Sequence, residues 1–212
     1  MYIVITGSSG FVGAALVDFL IKTHHEVTAV DMVPLPTPPN SRRFHFVQAD
    51  TTRPGGWQES IAQADAIVNL TGKNIFHRWN QKYKDLIYDT RILTTRHIVG
   101  ALSEKKPVTL VSTSAAGYYG NCGDDILEED HGPGTDFLAR VCVDWEKEAM
   151  AARKKSARVV CTRFGIVLGP GGGALAKMVP AFRMFVGGPL GDGQQWFPWV
   201  HIDDLVNGIY LV

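Results

Sequence analysis

The feature that most constrains the fold of this chain is a glycine-rich stretch close to its beginning. The sequence Thr6-Gly7-Ser8-Ser9-Gly10-Phe11-Val12-Gly13 repeats glycine at every third position. The apolar run from Tyr2 to Thr6 comes before it, and apolar residues at helical spacing follow it as far as Lys22. A strand, a glycine-rich turn and a helix in this order are typical of a site for the pyrophosphate of a dinucleotide. In such sites the phosphate oxygens meet the amides at the helix N-terminus.

Each glycine has its own role in such a turn. Gly7 permits the tight turn, Gly10 lets the backbone approach a phosphate, and Gly13 lets the helix pack closely on the strand. A strand–helix turn without a ligand is the alternative, but the strand, the helix and a later acidic residue agree with binding. From this stretch we predict cofactor contacts by Gly7, Ser9, Gly10, Phe11, Val12 and Gly13.

The later acidic residue is Asp31, which ends the second strand about 20 residues beyond the turn. A carboxylate there can accept hydrogen bonds from the adenosine ribose hydroxyls, so Asp31 favours NAD over NADP. Its neighbour Met32 is also expected to contact the cofactor. Arg42 and Arg43 in the following loop could offset the repulsion of a 2′-phosphate. Asp31 could instead only begin a loop. Asp50, after the third strand, is a candidate for the adenine amino group or a turn residue.

Strands and helices alternate along the chain. Apolar runs suited to burial on both faces, joined by helices, predict a parallel sheet covered on each side. The fold class is therefore α/β, a Rossmann-type doubly wound parallel sheet with the beginning of a small C-terminal substrate lobe. We expect a dinucleotide-binding domain over residues 1–168 and part of a smaller, truncated lobe over 169–212. The predicted strands are 2–6, 26–31, 44–48, 66–70, 108–112 and 158–162, and the predicted helices are 11–22, 57–63, 81–105 and 136–155.

The composition of the chain excludes several classes of binding partner. Lys plus Arg and Asp plus Glu both number 21, so the net charge is zero and no strong field favours nucleic acid or an anionic membrane. The three cysteines form no CxxC pair, which suits free thiols in the cytoplasm, and no apolar stretch is long enough to span a bilayer. The histidines show no metal-ligand spacing, so no metal is expected. The partner we expect is a small-molecule substrate, and the two longest helices are candidates for a homodimer interface.

Several motifs together resemble the extended short-chain dehydrogenase/reductase family, and more closely its sugar-nucleotide epimerase-like branch. They are TGSSGFVG at 6–13, NLTG at 69–72, RILTT from residue 91, STSAAGYYG at 112–120, FLARVCVDWE at 137–146, RFGIVLGPGGGALAKM at 163–178 and GGPLGDGQQWFPWVHIDDL at 187–205. The resemblance covers essentially the whole chain and implies a further C-terminal segment. It also implies cofactor contacts by Leu70, Thr71, Gly72, Arg91, Ser112, Arg163, Gly165 and Val167.

The catalytic residues of that family are only partly present. Ser114 matches the family serine that polarises the substrate carbonyl. The family tyrosine and lysine fall at Phe137 or Leu138 and at Val141 or Cys142, depending on register, so neither residue type is present. The nearest replacements are Tyr118 and Tyr119, whose phenols would need a cation such as Arg163 or Lys73 to lower their pKa, and which could equally be packing residues.

Two hypotheses follow from this mixture. The first is an NAD(P)-dependent oxidoreductase or epimerase that acts on a sugar nucleotide or a similar carbinol or carbonyl, using Ser114 and Tyr118 or Tyr119. The second is a catalytically impaired dinucleotide-binding or sensor protein that lacks the tyrosine–lysine pair. The fold alone does not decide between them, because function depends on the site.

Overall fold

The chain is built around one six-stranded parallel sheet. A computed structural model describes residues 1–189 and 191–212. The strands lie side by side in the order β3-β2-β1-β4-β5-β6, and every neighbouring pair is parallel. The order reverses between β1 and β4, which is where doubly wound sheets bind their ligands. The strands are β1 Tyr2–Thr6, β2 Glu26–Asp31, β3 Phe44–Gln48, β4 Ala66–Asn69, β5 Val108–Ala115 and β6 Ala157–Phe164.

Helices cover both faces of this sheet, and two further short strands pair with each other separately from it. The helices are α1 Phe11–Lys22, α2 Gln58–Gln63, α3 Gln81–Ala101, α4 Phe137–Met150, α5 Leu175–Arg183 and α6 Ile202–Leu211. Short 3₁₀ turns span Ala116–Tyr118 and Ala151–Lys155. The extra parallel pair is β7 Ile166–Leu168 with β8 Trp199–His201. In the described residues no helix combines the length and the apolarity that a membrane crossing requires.

The core has two parts, one on each face of the sheet. Alternation along β1 divides its side chains, since Ile3 and Ile5 contribute to one cluster and Val4 to the other. The first cluster includes Leu16 and other residues of α1 together with α6, and the second includes residues of α2, α3 and α4. The sheet is thus buried on both sides, as its continuous apolar strands predict.

The predicted fold class is confirmed, with differences at the ends of elements. Helix α3 ends at Ala101 rather than at residue 105, because Leu102 is extended and buried. Helix α4 begins at Phe137, where the Asp136 side chain accepts a hydrogen bond from the Ala139 amide, so Asp136 is the cap and not part of the helix. Strand β5 continues three residues beyond the predicted end at residue 112, to Ala115.

The segment after residue 168 returns to the sheet. Helix α6 packs against α1 and contributes Ile202, Leu205 and Val206 to the first core cluster. The last helix is therefore part of the layer that covers the sheet. A separate substrate lobe over residues 169–212 stays a prediction.

Candidate dinucleotide site

The glycine-rich turn has the backbone geometry that only glycine tolerates. Gly7 has a φ of 72°, and a Cβ there would lie 2.7 Å from the Leu70 carbonyl carbon. A Cβ on Gly13 would lie 2.4 Å from the Gly7 carbonyl oxygen. Gly10 is the N-cap of α1 and no side chain caps the helix, so amides of its first turn stay open to an anion. The turn and the helix start therefore form a cradle for a phosphate.

Two depressions meet at this cradle. The larger cavity, about 450 Å³, extends towards the ends of β5 and β6, and the smaller, about 320 Å³, extends towards the ends of β2 and β3. Both are lined by Gly7, Gly10, Leu70 and Gly72. Of the predicted cofactor residues, the larger cavity also has Phe11, Val12, Gly13, Arg91, Gly165 and Val167, and the smaller has Ser9, Asp31, Met32, Asp50 and Thr71. A phosphate cradle between two hollows matches the shape of a dinucleotide.

The carboxylate of Asp31 is already engaged by the protein. Its Oδ2 accepts hydrogen bonds from the Ser9 amide at 2.9 Å and the Ser9 hydroxyl at 2.7 Å. Its Oδ1 accepts one from the Met32 amide at 2.7 Å. Asp31 therefore fixes the turn to the end of β2. A carboxylate has about four lone-pair sites, so room for a ribose hydroxyl remains.

Asp50 is engaged in a local turn. Its Oδ1 accepts hydrogen bonds from the Thr52 amide at 3.0 Å and the Thr52 hydroxyl at 2.6 Å. The sequence allowed two roles for Asp50, a turn residue and a contact with the adenine amino group, and these hydrogen bonds are those of a turn residue. Asp50 also lines the smaller depression, so the two roles are compatible.

Ser114 lies at the end of β5, faces the larger cavity and is held by Glu146. The Ser114 hydroxyl donates a hydrogen bond of 2.6 Å to Glu146 Oε1. Since its single proton is used there, the oxygen offers lone pairs to the cavity. Ser112, in contrast, is buried within β5, has no hydrogen-bond partner for its hydroxyl and lines neither depression. The structure thus separates the two serines of the same strand.

Helix α4 presents Leu138, Val141 and Cys142 to the larger cavity. Phe137 faces elsewhere, with its ring against Trp79 at 5.7 Å between centroids. The structure therefore favours the register in which Leu138 takes the position of the family tyrosine and Cys142 that of the family lysine. In the other register the tyrosine position would fall at Phe137, which does not line the cavity. Burial raises the pKa of the Cys142 thiol above its usual value, so the thiol is uncharged at neutral pH.

Tyr118 and Tyr119 contact Arg163 rather than the larger cavity. The Arg163 guanidinium carbon lies 3.5 Å from the Tyr118 ring centroid, and Arg163 Nη1 donates a hydrogen bond of 3.1 Å to the Tyr119 hydroxyl. Neither tyrosine lines the cavity of Ser114; Tyr119 lines a neighbouring groove. The structure does not bring the two predicted phenols to the expected position beside Ser114.

Arg163 is the centre of a buried ionic network. Its Nε and Nη2 each donate a hydrogen bond of 2.7 Å to the Glu146 carboxylate, and both side chains are less than one-fifth exposed. The hydrogen bonds with Glu146 raise the pKa of Arg163 further above its usual value. Contrary to the prediction, Arg163 therefore does not line the larger cavity. Gly165 and Val167 line it as predicted.

Glu146 is the polar residue of this site that the sequence reasoning missed. It follows Leu138 and Cys142 at intervals of four residues, which places the three on one face of α4. That spacing is the signal that could have found it. Within residues 1–189 and 191–212, no three His, Cys, Asp or Glu side chains are grouped to hold a metal ion.

Comparison with protein families gives a match over nearly the whole chain. The family described as "NAD dependent epimerase/dehydratase family" matches residues 3–212. An Arabidopsis thaliana protein named epimerase family protein SDR39U1 homolog, chloroplastic, is 39% identical over an alignment of 214 positions, which covers 99% of this chain and 61% of that protein. The Mycobacterium bovis epimerase family protein Mb2239 is 37% identical over 98% of this chain and 67% of its own length.

Solved structures are similar over the same extent. The human epimerase family protein SDR39U1, isoform 2, crystallised with NADPH, has a TM-score of 0.81 and 33% identity, covering 99% of this chain and 69% of the human chain. A nucleoside-diphosphate sugar epimerase from Corynebacterium glutamicum has a TM-score of 0.79 and 34% identity, covering 99% of this chain and 43% of the other. This chain thus spans about three-fifths of the length of the Arabidopsis relative.

Proposed function

The chain belongs to the NAD dependent epimerase/dehydratase family, and from this premise we propose that it binds NAD or NADP across the two depressions. We further propose that it transfers hydride between the nicotinamide and a sugar nucleotide or similar small carbinol or carbonyl substrate. The relatives support this, since one solved structure contains NADPH and another is named a nucleoside-diphosphate sugar epimerase.

One observation carries the proposal: a glycine-rich phosphate cradle joins the depression that contains Asp31 to the cavity that contains Ser114. The fit is physical, because a Cβ at Gly7 or Gly13 would collide with backbone and the open amides of α1 lie at the junction. The adenosine half would lie against Ser9, Asp31 and Met32. The nicotinamide half would lie between Val12 and the end of β5.

The protein residues can then be given roles. A bound nicotinamide accepts or donates a hydride, and the protein supplies position and charge. Ser114, whose proton is directed at Glu146, accepts a hydrogen bond from the reacting hydroxyl and so orients the carbinol carbon. Glu146 is a positioning residue that fixes the Ser114 hydroxyl, and Arg163 holds Glu146. This differs from the family role of the serine as a donor.

A second candidate function is supported by the cavity wall itself. Leu138 and Cys142 occupy the positions of the tyrosine and lysine, and an uncharged thiol and an alkyl group are poor acid–base catalysts. Under this alternative the chain binds the dinucleotide as a sensor without turning over a substrate.

The two candidates are separated by a hydride-transfer assay with paired serine variants. NADH and NADPH are mixed with sugar nucleotides and simple carbonyls, and loss of the reduced nicotinamide absorbance is followed. The enzyme hypothesis predicts turnover that falls about tenfold or more in Ser114→Ala and stays unchanged in Ser112→Ala, the matched control on the same strand. Dinucleotide binding without any turnover would favour the sensor.

The setting of the protein is proposed on similar grounds. The three cysteines are free, which supports a reducing compartment such as the cytoplasm. The long helices α3 and α4, which pack together, are the proposed surface for a homodimer.

A further inference from the structure

Arg91 places a cation in the wall of the larger cavity. Its Nη1 donates hydrogen bonds to the backbone carbonyls of Lys73 at 3.1 Å and Ile87 at 2.9 Å. The guanidinium carbon lies 5.2 Å from the Trp145 ring centroid. A Cβ on Gly72 would lie 2.9 Å from that carbon, so the glycine lets the guanidinium approach the backbone. The group is thus held in one position on four sides.

No carboxylate neutralises this cation in the described part of the chain. Arg53, Arg96 and Arg163 each form an ion pair with an acidic side chain, whereas the hydrogen bonds of Arg91 are to backbone carbonyls. Burial lowers the pKa of Arg91, but an arginine remains charged at neutral pH. Cys142 is close enough for the guanidinium to lower the pKa of its thiol, yet burial has the larger, opposite effect, and the thiol stays neutral.

The charged groups that lie behind the cavity wall, next to Ser114, cancel each other. Glu146 and Arg163 form a two-pronged ion pair, so together they contribute little net charge. The rest of the lining is mainly apolar or small. The cavity therefore has a net local charge of about plus one, in surroundings where charges interact more strongly than in water.

We propose that Arg91 makes this cavity select the reduced nicotinamide over the oxidised one. The inference rests on the proposed function, which places the nicotinamide in the larger cavity. The oxidised ring carries a positive charge and the reduced ring is neutral, so the buried guanidinium repels only the oxidised form. By linkage, the bound dinucleotide then has a higher reduction potential than the free one, by about 30 mV for each tenfold preference in affinity. Its oxidised form is therefore a stronger hydride acceptor when bound.

The experiment compares the affinities of oxidised and reduced dinucleotides. Calorimetric titrations with NAD, NADH, NADP and NADPH give the ratio of the two dissociation constants within each pair. We expect the wild-type chain to bind the reduced form about tenfold or more tightly. Arg91→Gln, which removes the charge, brings the ratio towards one, and Arg91→Lys, which keeps the charge, retains the preference.

Two controls test whether a change in the affinity ratio comes from the charge of Arg91. Arg96→Met removes a cation from the same helix at an exposed position paired with Glu148, and it leaves the ratio unchanged. ADP, which lacks the nicotinamide, still binds to Arg91→Gln, which reports an intact adenosine half. Any attraction to the phosphates that the variant loses is common to both redox forms and cancels in their ratio. If Arg91→Gln does not fold by circular dichroism, Arg91→Met provides the uncharged variant.

Each outcome decides the question. A wild-type ratio near one, or an equal loss of affinity for both redox forms in the uncharged variants, overturns the inference and leaves the proposed function standing. Absence of binding by all four dinucleotides removes the proposed function itself. A preference that disappears in Arg91→Gln and persists in Arg91→Lys supports Arg91 as the selecting charge.

Discussion

Replacing Arg163 with methionine tests the ionic network that holds the end of the sheet. In the native chain the guanidinium donates two hydrogen bonds of 2.7 Å to Glu146, whose side chain is 14% exposed. In Arg163→Met the Glu146 carboxylate keeps only the Ser114 hydroxyl among its described donors. Removing one partner of a buried ion pair costs about 3–5 kcal/mol, because the other charge is left without compensation.

The loss is large enough to measure by thermal denaturation. For a chain of this size each kcal/mol lowers the melting temperature by about 2–4 °C, so we expect a decrease of about 6–20 °C. Arg96→Met is the matched control. Its ion pair with Glu148 has an arginine side chain that is 56% exposed, and removing it should cost less than about 1 kcal/mol.

A second substitution shows that the unpaired charge is the cause. Glu146→Gln combined with Arg163→Met removes both charges, and the double variant should unfold at a higher temperature than Arg163→Met alone. The reasoning is refuted if Arg163→Met costs no more than Arg96→Met. It is also refuted if the double variant is the less stable of the two.

Three further predictions concern the glycine-rich turn, the thiols and the carboxylate of Asp65, which precedes β4. In urea denaturation, Gly13→Ala should destabilise the chain by about 1–3 kcal/mol, because the nearest atoms to the new Cβ belong to the backbone. The control Gly208→Ala has open space around the new Cβ, so it should be neutral or stabilising by up to about 1 kcal/mol. Equal effects of the two substitutions would contradict the account. A disulfide reagent at pH 8 should modify Cys122 first, since burial raises the pKa of Cys161 to about 11, and rapid reaction of all three thiols would be inconsistent with this burial. Asp65→Asn should lower the free energy of unfolding by less than about 1 kcal/mol at neutral pH, because the carboxylate is more than one-third exposed. Hydrogen bonding, chiefly from a lysine, lowers the folded-state pKa of Asp65, so this loss of stability should shrink as the pH falls below about 3.9 and through the lowered pKa. A loss that does not change with pH would contradict this explanation.

The sequence predicts well what depends on local pattern. The turn at Gly7 and Gly13 follows from glycine spacing between a strand and a helix, and the structure gives both residues the close backbone contacts that the pattern implies. Apolar runs predict the strands, and the structure arranges these strands in one six-stranded parallel sheet. Local signals of this kind survive because tertiary contacts reinforce them.

What the sequence could not predict is which way side chains turn between distant elements. The family resemblance places Arg163 at the nicotinamide, but in the structure its guanidinium forms hydrogen bonds with Glu146 on α4 and Tyr119 on the loop after β5. Tyr118 is adjacent to Tyr119 and stacks on the same group. These contacts join residues that are 17 to 45 positions apart, so no local pattern contains them.

The most direct test of the account is a hydrogen-exchange footprint with and without a saturating dinucleotide. Binding across both depressions predicts slower amide exchange at the turn 7–13 and after β4 with ADP and with NADH or NADPH, and additional slowing around Ser114 and Cys142 with the dinucleotide alone. The same footprint from ADP and the bound dinucleotide, confined to the adenosine half, would contradict the placement of the nicotinamide in the cavity of Ser114. No protection by either compound would contradict the dinucleotide site as a whole.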